Sequence, residues 1–292
     1  MVIEKILYPT KFREFSLNCL EELLVLKKVG LKEIILCYII PREEIGFVPF
    51  GGFLKEEEEK QREKALLNFE NWQRILSERD IKSKIVIKVG NPVVEIIRIA
   101  EEEKANLIVV GRKKRTRLSL GSNTLEIIKK SSIPILVYKY AVQFKWQEEI
   151  LTKVNRDIFN HPLLALDWAE SSLRALEFLK NLKSIIEKLS LCYVIDENKI
   201  KTWKKEEIKN YEEKLLEKFN SLKNELAPQL GEIRYFLGLG KPAEEILNIA
   251  RQINATSLIV GKSNKSEIEK IFLGSTSQEI VLTSELPVLV II

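Results

Sequence analysis

Three observations on the 292-residue sequence predict an α/β fold built as two tandem, doubly wound parallel sheets of five strands each. Short apolar runs alternate strictly with stretches of helical period, and that alternation calls for a parallel sheet with helices on both faces. A 22-residue stretch from Gly90-Asn91-Pro92 to Gly111 recurs 150 positions later, from Gly240-Lys241-Pro242 to Gly261, each copy reading as a turn, an amphipathic helix, a buried strand and a terminal glycine. That period is far too long for a solenoid and matches one ordinary domain, so an internal duplication is the simplest account. With 45% hydrophobic residues, the chain can bury two moderate cores without disulfides or metals.

The elements follow from apolar period and turn residues. In the first half the pattern predicts strands over 3–8, 33–39, 83–89, 106–110 and 134–138, separated by helices over 14–29, 55–79, 92–104 and 122–131. The second half repeats the order from about residue 162: a strand to Asp167, a helix to 187, then strands over 189–195, 232–238, 257–260 and 287–292 with helices over 203–226, 242–254 and 275–284 between them. The long second helix of each half needs no function beyond packing, because an inner stripe (Ala65, Phe69, Trp72, Ile75, Leu76; Ile208, Tyr211, Leu215, Phe219, Leu222, Leu226) opposes a charged face. Domains are expected over 1–140 and 161–292, joined by an ordered connector over 141–160, which lacks Gly and Pro and mixes charged with apolar residues.

Composition restricts the function classes. The 47 basic and 42 acidic residues are interspersed, so the net charge of +5 does not predict a nucleic-acid partner. No run reaches membrane-spanning length, and the chain opens directly into a strand pattern, so a cytoplasmic protein without membrane contact is expected. Cys19, Cys37 and Cys192 are an odd set without a CxxC and are expected as buried, reduced thiols. His161, the only histidine, precedes Pro162 away from the expected crevice, which removes a histidine base, a Ser-His arrangement and a His-rich metal site.

In a doubly wound sheet the ligand crevice lies at the carboxyl ends of the strands where the winding reverses, so the loops after the first and fourth strands carry the information. In the second copy the first strand ends at Asp167. The fourth ends at Gly261 and is followed by Lys262, Ser263 and Asn264, then by Gly274-Ser275-Thr276 opening a helix. Glycines let backbone approach a phosphate, the helix N-terminus favours an anion, and an acidic side chain opposite can accept from ribose hydroxyls or an adenine amino group.

These residues resemble the universal stress protein family, whose ATP-binding members carry G-x2-G-x9-G-[ST] after the fourth strand and an Asp closing the first. Gly261, Asn264, Gly274 and Ser275 keep that spacing, with Asn, the residue after Gly that best tolerates a left-handed backbone, at the second glycine. The resemblance covers both halves, through the G-x-P turn, the NLIVVG and TSLIVG strands, and the closing IPILVY and LPVLVI strands. It implies a Rossmann-like sheet of order 3-2-1-4-5. It also implies ATP with Mg2+ in the second domain, with ribose and phosphates on Gly261, Asn264, Gly274 and Ser275, a further hydrogen bond from Thr276, Asp167 at the adenosine end and Val194 against the base. Family domains pair through their last strands, so the resemblance also implies an internal domain pair, a further homodimer being open.

The first copy departs from the pattern. Lys11 stands where Asp is expected, Lys114 replaces the second glycine, and nine residues separate Gly111 from Gly121, three fewer than in the second copy. Its basic loop, Arg112 to Arg117, reads as a solvated segment of a diverged domain. An anion site formed by Lys11, Gly111, Arg112, Gly121 and Ser122 is the alternative.

Two further patterns read as structure. Gly238-Leu239-Gly240-Lys241-Pro242-Ala243 has dinucleotide-motif spacing but follows a third strand and lacks the later acidic residue. Gly46 to Gly52 has P-loop glycine spacing without the Lys and Ser or Thr, and its apolar residues Phe47, Val48, Phe50 and Phe53 are expected to cover the chain's own core. The expected function is nucleotide-dependent signalling: ATP orders the loop 262–273 and an unidentified protein reads the altered surface. A nucleotide-free scaffold and a slow ATP hydrolase are the alternatives.

Overall fold

The computed structural model describes residues 2–12, 16–45, 47–48, 52–53, 55–114, 122–145, 148–262 and 273–292. The chain divides into two compact units, Met1–Val154 and Asn155–Ile292.

In the first unit the elements are β1 (Lys5–Pro9), α1 (Ser16–Glu22), β2 (Glu33–Ile40), a short hairpin of β3 (Phe47–Val48) and β4 (Gly52–Phe53), α2 (Lys55–Ser77), β5 (Lys82–Val89), α3 (Pro92–Glu102), β6 (Leu107–Lys114), α4 (Ser122–Lys130), β7 (Ile135–Lys145) and β8 (Glu148–Val154). Its parallel strands run in the order β7-β6-β1-β2-β5. The second unit has β9 (Pro162–Ala165), α5 (Glu170–Lys180), β10 (Leu189–Asp196), α6 (Glu197–Ile200), α7 (Lys205–Leu230), β11 (Ile233–Gly240), α8 (Pro242–Gln252), β12 (Ser257–Gly261), α9 (Ser275–Thr283) and β13 (Val288–Ile291). Its order is β13-β12-β9-β10-β11, all parallel. Numbered by position within each unit, both sheets are 3-2-1-4-5, the order the sequence resemblance implies.

The central strands are covered on both faces, which is why they read as unbroken apolar runs. Ile6, Leu7, Leu163, Leu164, Leu258 and Val288 are all fully buried. In the second unit Phe219 of α7 is also fully buried, stacked at 5.1 Å on Tyr235 and tilted at 5.4 Å to Trp168. Truncating it to Ala would cost about 3–5 kcal/mol.

Each unit leaves its first strand through the same backbone device. Phe12 (φ 51°) and Trp168 (φ 63°) occupy the left-handed region at equivalent positions, although neither is glycine. The strain, about 1–2 kcal/mol each, is held by aromatic packing: Phe12 lies 4.6 Å from Phe69 and 5.2 Å from Tyr38, and Trp168 packs on Phe219 with the Lys218 ammonium 5.4 Å over its ring. The repeated G-x-P turn has an equally local cause. A side-chain carbon on Gly90 would lie 2.8 Å from the Glu95 side chain, and one on Gly240, itself at φ 145°, would lie 3.1 Å from that of Glu245. Pro92 and Pro242 then open their helices with no N–H to satisfy, and Asn91 caps α3 by accepting from Val93 and Val94. The dinucleotide-like pattern at Gly238–Ala243 is therefore a packed turn.

Four expectations need correction. Residues 141–160 are not a separate connector: β7 continues to Lys145, β8 returns antiparallel to it, and the chain from Asn155 onward belongs to the second unit. The strand expected to end at 110 runs on to Lys114, because the lengthened β7 supplies partners for Arg112, Lys113 and Lys114 at Lys139, Tyr140 and Ala141. The helix expected over 14–29 is a short α1 followed by a 3-10 stretch over Leu23–Val29. The helix expected to reach 187 ends at Lys180, with a 3-10 turn over Lys183–Ile185.

Candidate functional site

β10 and β12 flank β9 on opposite sides, so the chain turns away in opposite directions after β9 and β12 and leaves a crevice beyond their carboxyl ends. A pocket of about 510 Å³ occupies it. β9 and the turn after it contribute Ala165, Leu166 and Asp167; β10 contributes Cys192, Tyr193, Val194 and Asp196. From the other side come Val260 and Gly261 of β12, Lys262, and Ser275, Thr276 and Ser277 in the first turn of α9. The starts of α5 and α8 close the walls with Glu170, Ser171, Pro242 and Ile246.

Of the residues singled out in the sequence, five come together here: Asp167, Val194, Gly261, Ser275 and Thr276. Gly274 is the N-cap of α9 and its carbonyl accepts from Gln278, but it is not part of the pocket wall. Its angles, φ −53° and ψ 147°, are open to any residue. Asn264 lies outside the described residues.

The ladder from β9 continues one step past its end, Leu166 N–H donating to the Cys192 carbonyl at 2.8 Å. Asp167 therefore stands two residues beyond the strand, where the chain turns through Trp168. Its carboxylate is exposed and accepts from the Ala169 N–H at 3.0 Å, an Asx turn leading into α5, whose N-cap is Ala169. One oxygen is thus engaged locally and the carboxylate still faces the pocket. Val194 pairs in register with Gly238, and a side-chain carbon there would meet Val194 Cγ2 at 3.2 Å, so the glycine gives Val194 its room.

Gly261 is held by sterics: a side-chain carbon on it would lie 2.4 Å from Ser171 Oγ. Its carbonyl accepts from Ser277 Oγ at 2.9 Å, tying β12 to the first turn of α9. That turn presents N–H groups whose intrahelical partners are absent by geometry, and with them the positive end of the helix dipole.

Sequence reasoning missed Lys262. It is 5% exposed, lines the pocket, and its N–H donates to the Ile291 carbonyl at 2.7 Å; burial lowers the pKa of its ammonium. A lysine in a Lys- and Ser-rich loop reads as solvated, and only the ladder to β13 reveals otherwise. Arg174 also borders the pocket, but its guanidinium is committed to Glu170 and to the Ile292 carbonyl. His161 is distant from this chemistry: its Nε2 lies 2.9 Å from Ser190 Oγ, at the amino ends of β9 and β10.

In the first unit, Lys11 is half-exposed and lies 3.7 Å from the Glu44 carboxylate. Gly111 is inside β6 rather than in a loop; Arg112 is in β6 and Ser122 begins α4. Gly121 and residues 115–120 of the basic run lie outside the described residues, as do the side chains of the apolar loop at 46–54.

Two Rossmann-like α/β domains in tandem, the second with a pocket at its winding reversal, define a doubly wound α/β protein, and the comparisons give it a family. A model of the Universal stress protein family matches residues 3–139 and 159–291. The chain belongs to that family and carries its domain twice. It is 35% identical over 156 residues to one universal stress protein of Methanocaldococcus jannaschii, covering 48% of this chain and 96% of that one, and 29% identical over 146 residues to another, covering 47% and 82%. The crystal structure of a universal stress protein from Archaeoglobus fulgidus superposes over 98% of this chain and 95% of its own with a TM-score of 0.74, at 23% identity, a likeness of fold. Among the described residues no helix is long and apolar enough to cross a membrane.

Proposed function

We propose that the second domain binds an adenine nucleotide, ATP with Mg2+, and that the protein is a nucleotide-dependent signalling member of its family. The observation that carries this reading is the convergence of Asp167, Val194, Gly261, Ser275 and Thr276 on one pocket of about 510 Å³, within the ~300–1,000 Å³ usual for small-molecule sites. The chemistry of the walls fits the ligand. Val194, Pro242 and Ile246 are apolar surface for a base, Asp167 is an acceptor for ribose hydroxyls or the adenine amino group, and the first turn of α9 is a donor set for phosphates. Among the described residues no group of three or more His, Cys, Asp or Glu could hold a metal, so Mg2+ would be carried mainly by the phosphates, as is usual for that ion.

A cytoplasmic partner protein would read the nucleotide-bound surface; residues 263–272 of the segment expected to respond to the nucleotide lie outside the described residues. The test is to purify the protein without added nucleotide, denature it and identify released small molecules by mass spectrometry, alongside Asp167→Ala. Adenine nucleotide released by the parent and not by the variant supports the reading.

A specific observation keeps a second reading alive. Gly261 is required by its contact with Ser171, and Asp167 has an Asx turn to make, so both residues have structural reasons to be present. On that reading the domains are a nucleotide-free interaction scaffold, and a parent that releases nothing and gives no heat with Mg-ATP would favour it.

A further inference from the structure

The duplication leaves equivalent strands at one edge of each sheet, β5 in the first unit and β11 in the second, and among the described residues no strand pairs with the outer side of either. Main-chain groups along such a strand point alternately inward and outward. On β5 the Lys82 and Gly90 N–H groups donate inward to Lys32 and Ile40, so Ser83, Ile85, Ile87 and Val89 face outward. On β11 the Glu232 carbonyl accepts inward from Leu189, so Ile233, Tyr235, Leu237 and Leu239 face outward. The edge of β5 is closed. Arg62 and Gln73 of α2 donate to the outward carbonyls of Ile87 and Ser83 at 3.1 and 3.4 Å, and Lys82, Lys84 and Lys88 stand exposed along the strand. The edge of β11 lacks both protections. The matching residues of α7 are Glu212, whose carboxylate has no hydrogen to give, and Lys223, and among the described residues neither bonds to the Ile233 or Leu237 carbonyl. Where β5 has three lysines, β11 has Glu232 and Arg234, paired to each other at 2.8 Å, and Gly238.

We propose that the free edge of β11 is an interface for a second copy of this chain, the two strands pairing antiparallel about a two-fold axis at Phe236. In that register Tyr235 faces Leu237 of the second copy and Ile233 faces its Leu239, and each such pair exchanges two main-chain hydrogen bonds. Arg234 faces Gly238 and Glu232 faces Gly240, so no like charges oppose and the glycines leave room for the longer side chains. The same operation on β5, about Val86, would set Lys84 against Lys88 on both sides of the axis and break the bonds from Arg62 and Gln73. A two-fold interface requires one surface to match itself, and β11 meets that requirement where its duplicate does not. The inference is independent of the nucleotide reading.

The test is light scattering on the full chain over a dilution series, comparing the parent with Leu239→Lys and with Val89→Lys, the matching change on β5. Leu239 is exposed, so a lysine there charges the edge without emptying the core. The expected result is a parent of twice the mass of Leu239→Lys at the same concentration, with Val89→Lys like the parent and thermal melts showing all three folded. A cysteine at the axis tests the register. Residue 236 would face its own copy in a pair without main-chain bonds, where the Cα atoms lie about 4.5 Å apart, a separation that a disulfide spans. Phe236→Cys, made with Cys192→Ser because Cys192 is its neighbour in the ladder, should therefore cross-link into a covalent dimer under a mild oxidant. Cys19 and Cys37 are buried, with thiols pushed up to about 12, and should stay out of the reaction. A parent that is monomeric at every concentration would overturn the proposal. So would a dimer that persists in Leu239→Lys while Phe236→Cys forms no cross-link.

Discussion

A side-chain carbon on Gly261 would sit 2.4 Å from Ser171 Oγ, 2.9 Å from its Cβ and 3.0 Å from its carbonyl carbon, so the end of β12 and the start of α5 meet with no room between them. The motif position is thus sterically obligatory in the second domain. Gly261→Ala should destabilise the protein by about 1–3 kcal/mol, the usual penalty of overpacking. Urea unfolding of the variant checks this, and an unchanged midpoint would contradict it.

Asp167 combines a local turn with a pocket-facing charge, and the two can be separated. Asp167→Asn keeps an acceptor for the Ala169 N–H and removes the charge, so stability should change by no more than about 0.5 kcal/mol. Nucleotide affinity should fall roughly tenfold or more, as for loss of a charged hydrogen-bond acceptor. Asp167→Ala removes the turn as well and should cost a further ~1 kcal/mol of stability. Melting curves and Mg-ATP titrations on both variants read the two effects independently.

The three cysteines are buried, and burial pushes each thiol up to about 12. Thiolate is the reacting species, so at pH 8 the native protein should be nearly inert to a thiol-specific chromogenic disulfide, whereas unfolded protein should react at all three positions. Cys192 borders the pocket and is the informative case. Rapid modification of the native chain, slowed by Mg-ATP, would mean that the pocket opens further than the structure shows.

His161 gives a pH dependence with a definite sign. Partial burial and the nearby Lys188 and Arg234 charges lower its pKa in the fold. The unfolded chain then binds the proton more readily, so the contribution of His161 is complete above its unfolded pKa near 6.5 and is lost as pH falls through the lower folded value. The thermal midpoint should drop between about pH 7 and pH 5, and His161→Gln should flatten that part of the profile while keeping a polar partner for Ser190. An unchanged slope in the variant would contradict the assignment.

The sheet order and helix alternation were legible because fully buried parallel strands are short apolar runs, such as Ile34 to Cys37, separated by helices with a single apolar stripe. What escaped was set by contacts distant in sequence. The hairpin of β7 and β8 lies in a stretch with no Gly or Pro to mark its turn, and once β7 lengthens it draws Arg112–Lys114 into the sheet. The helices over 14–29 and toward 187 were extended too far because Leu23 and Leu26, and Ile185 and Ile186, continue an apolar pattern through 3-10 turns. In the site, Asp167, Gly261 and Gly274 were marked by spacing. Lys262 was not, since its backbone bond to Ile291 joins residues distant in sequence, and the close approach of Gly261 to Ser171 spans ninety positions.

The most direct test of the central claim is a calorimetric titration of Mg-ATP into the full chain, repeated with Asp167→Ala. The account predicts a single saturable site per chain, lost in the variant while its melting curve remains cooperative. Two equivalent sites, or one site untouched by Asp167→Ala, would contradict the assignment to the second domain. A flat titration of the folded parent would contradict nucleotide binding itself.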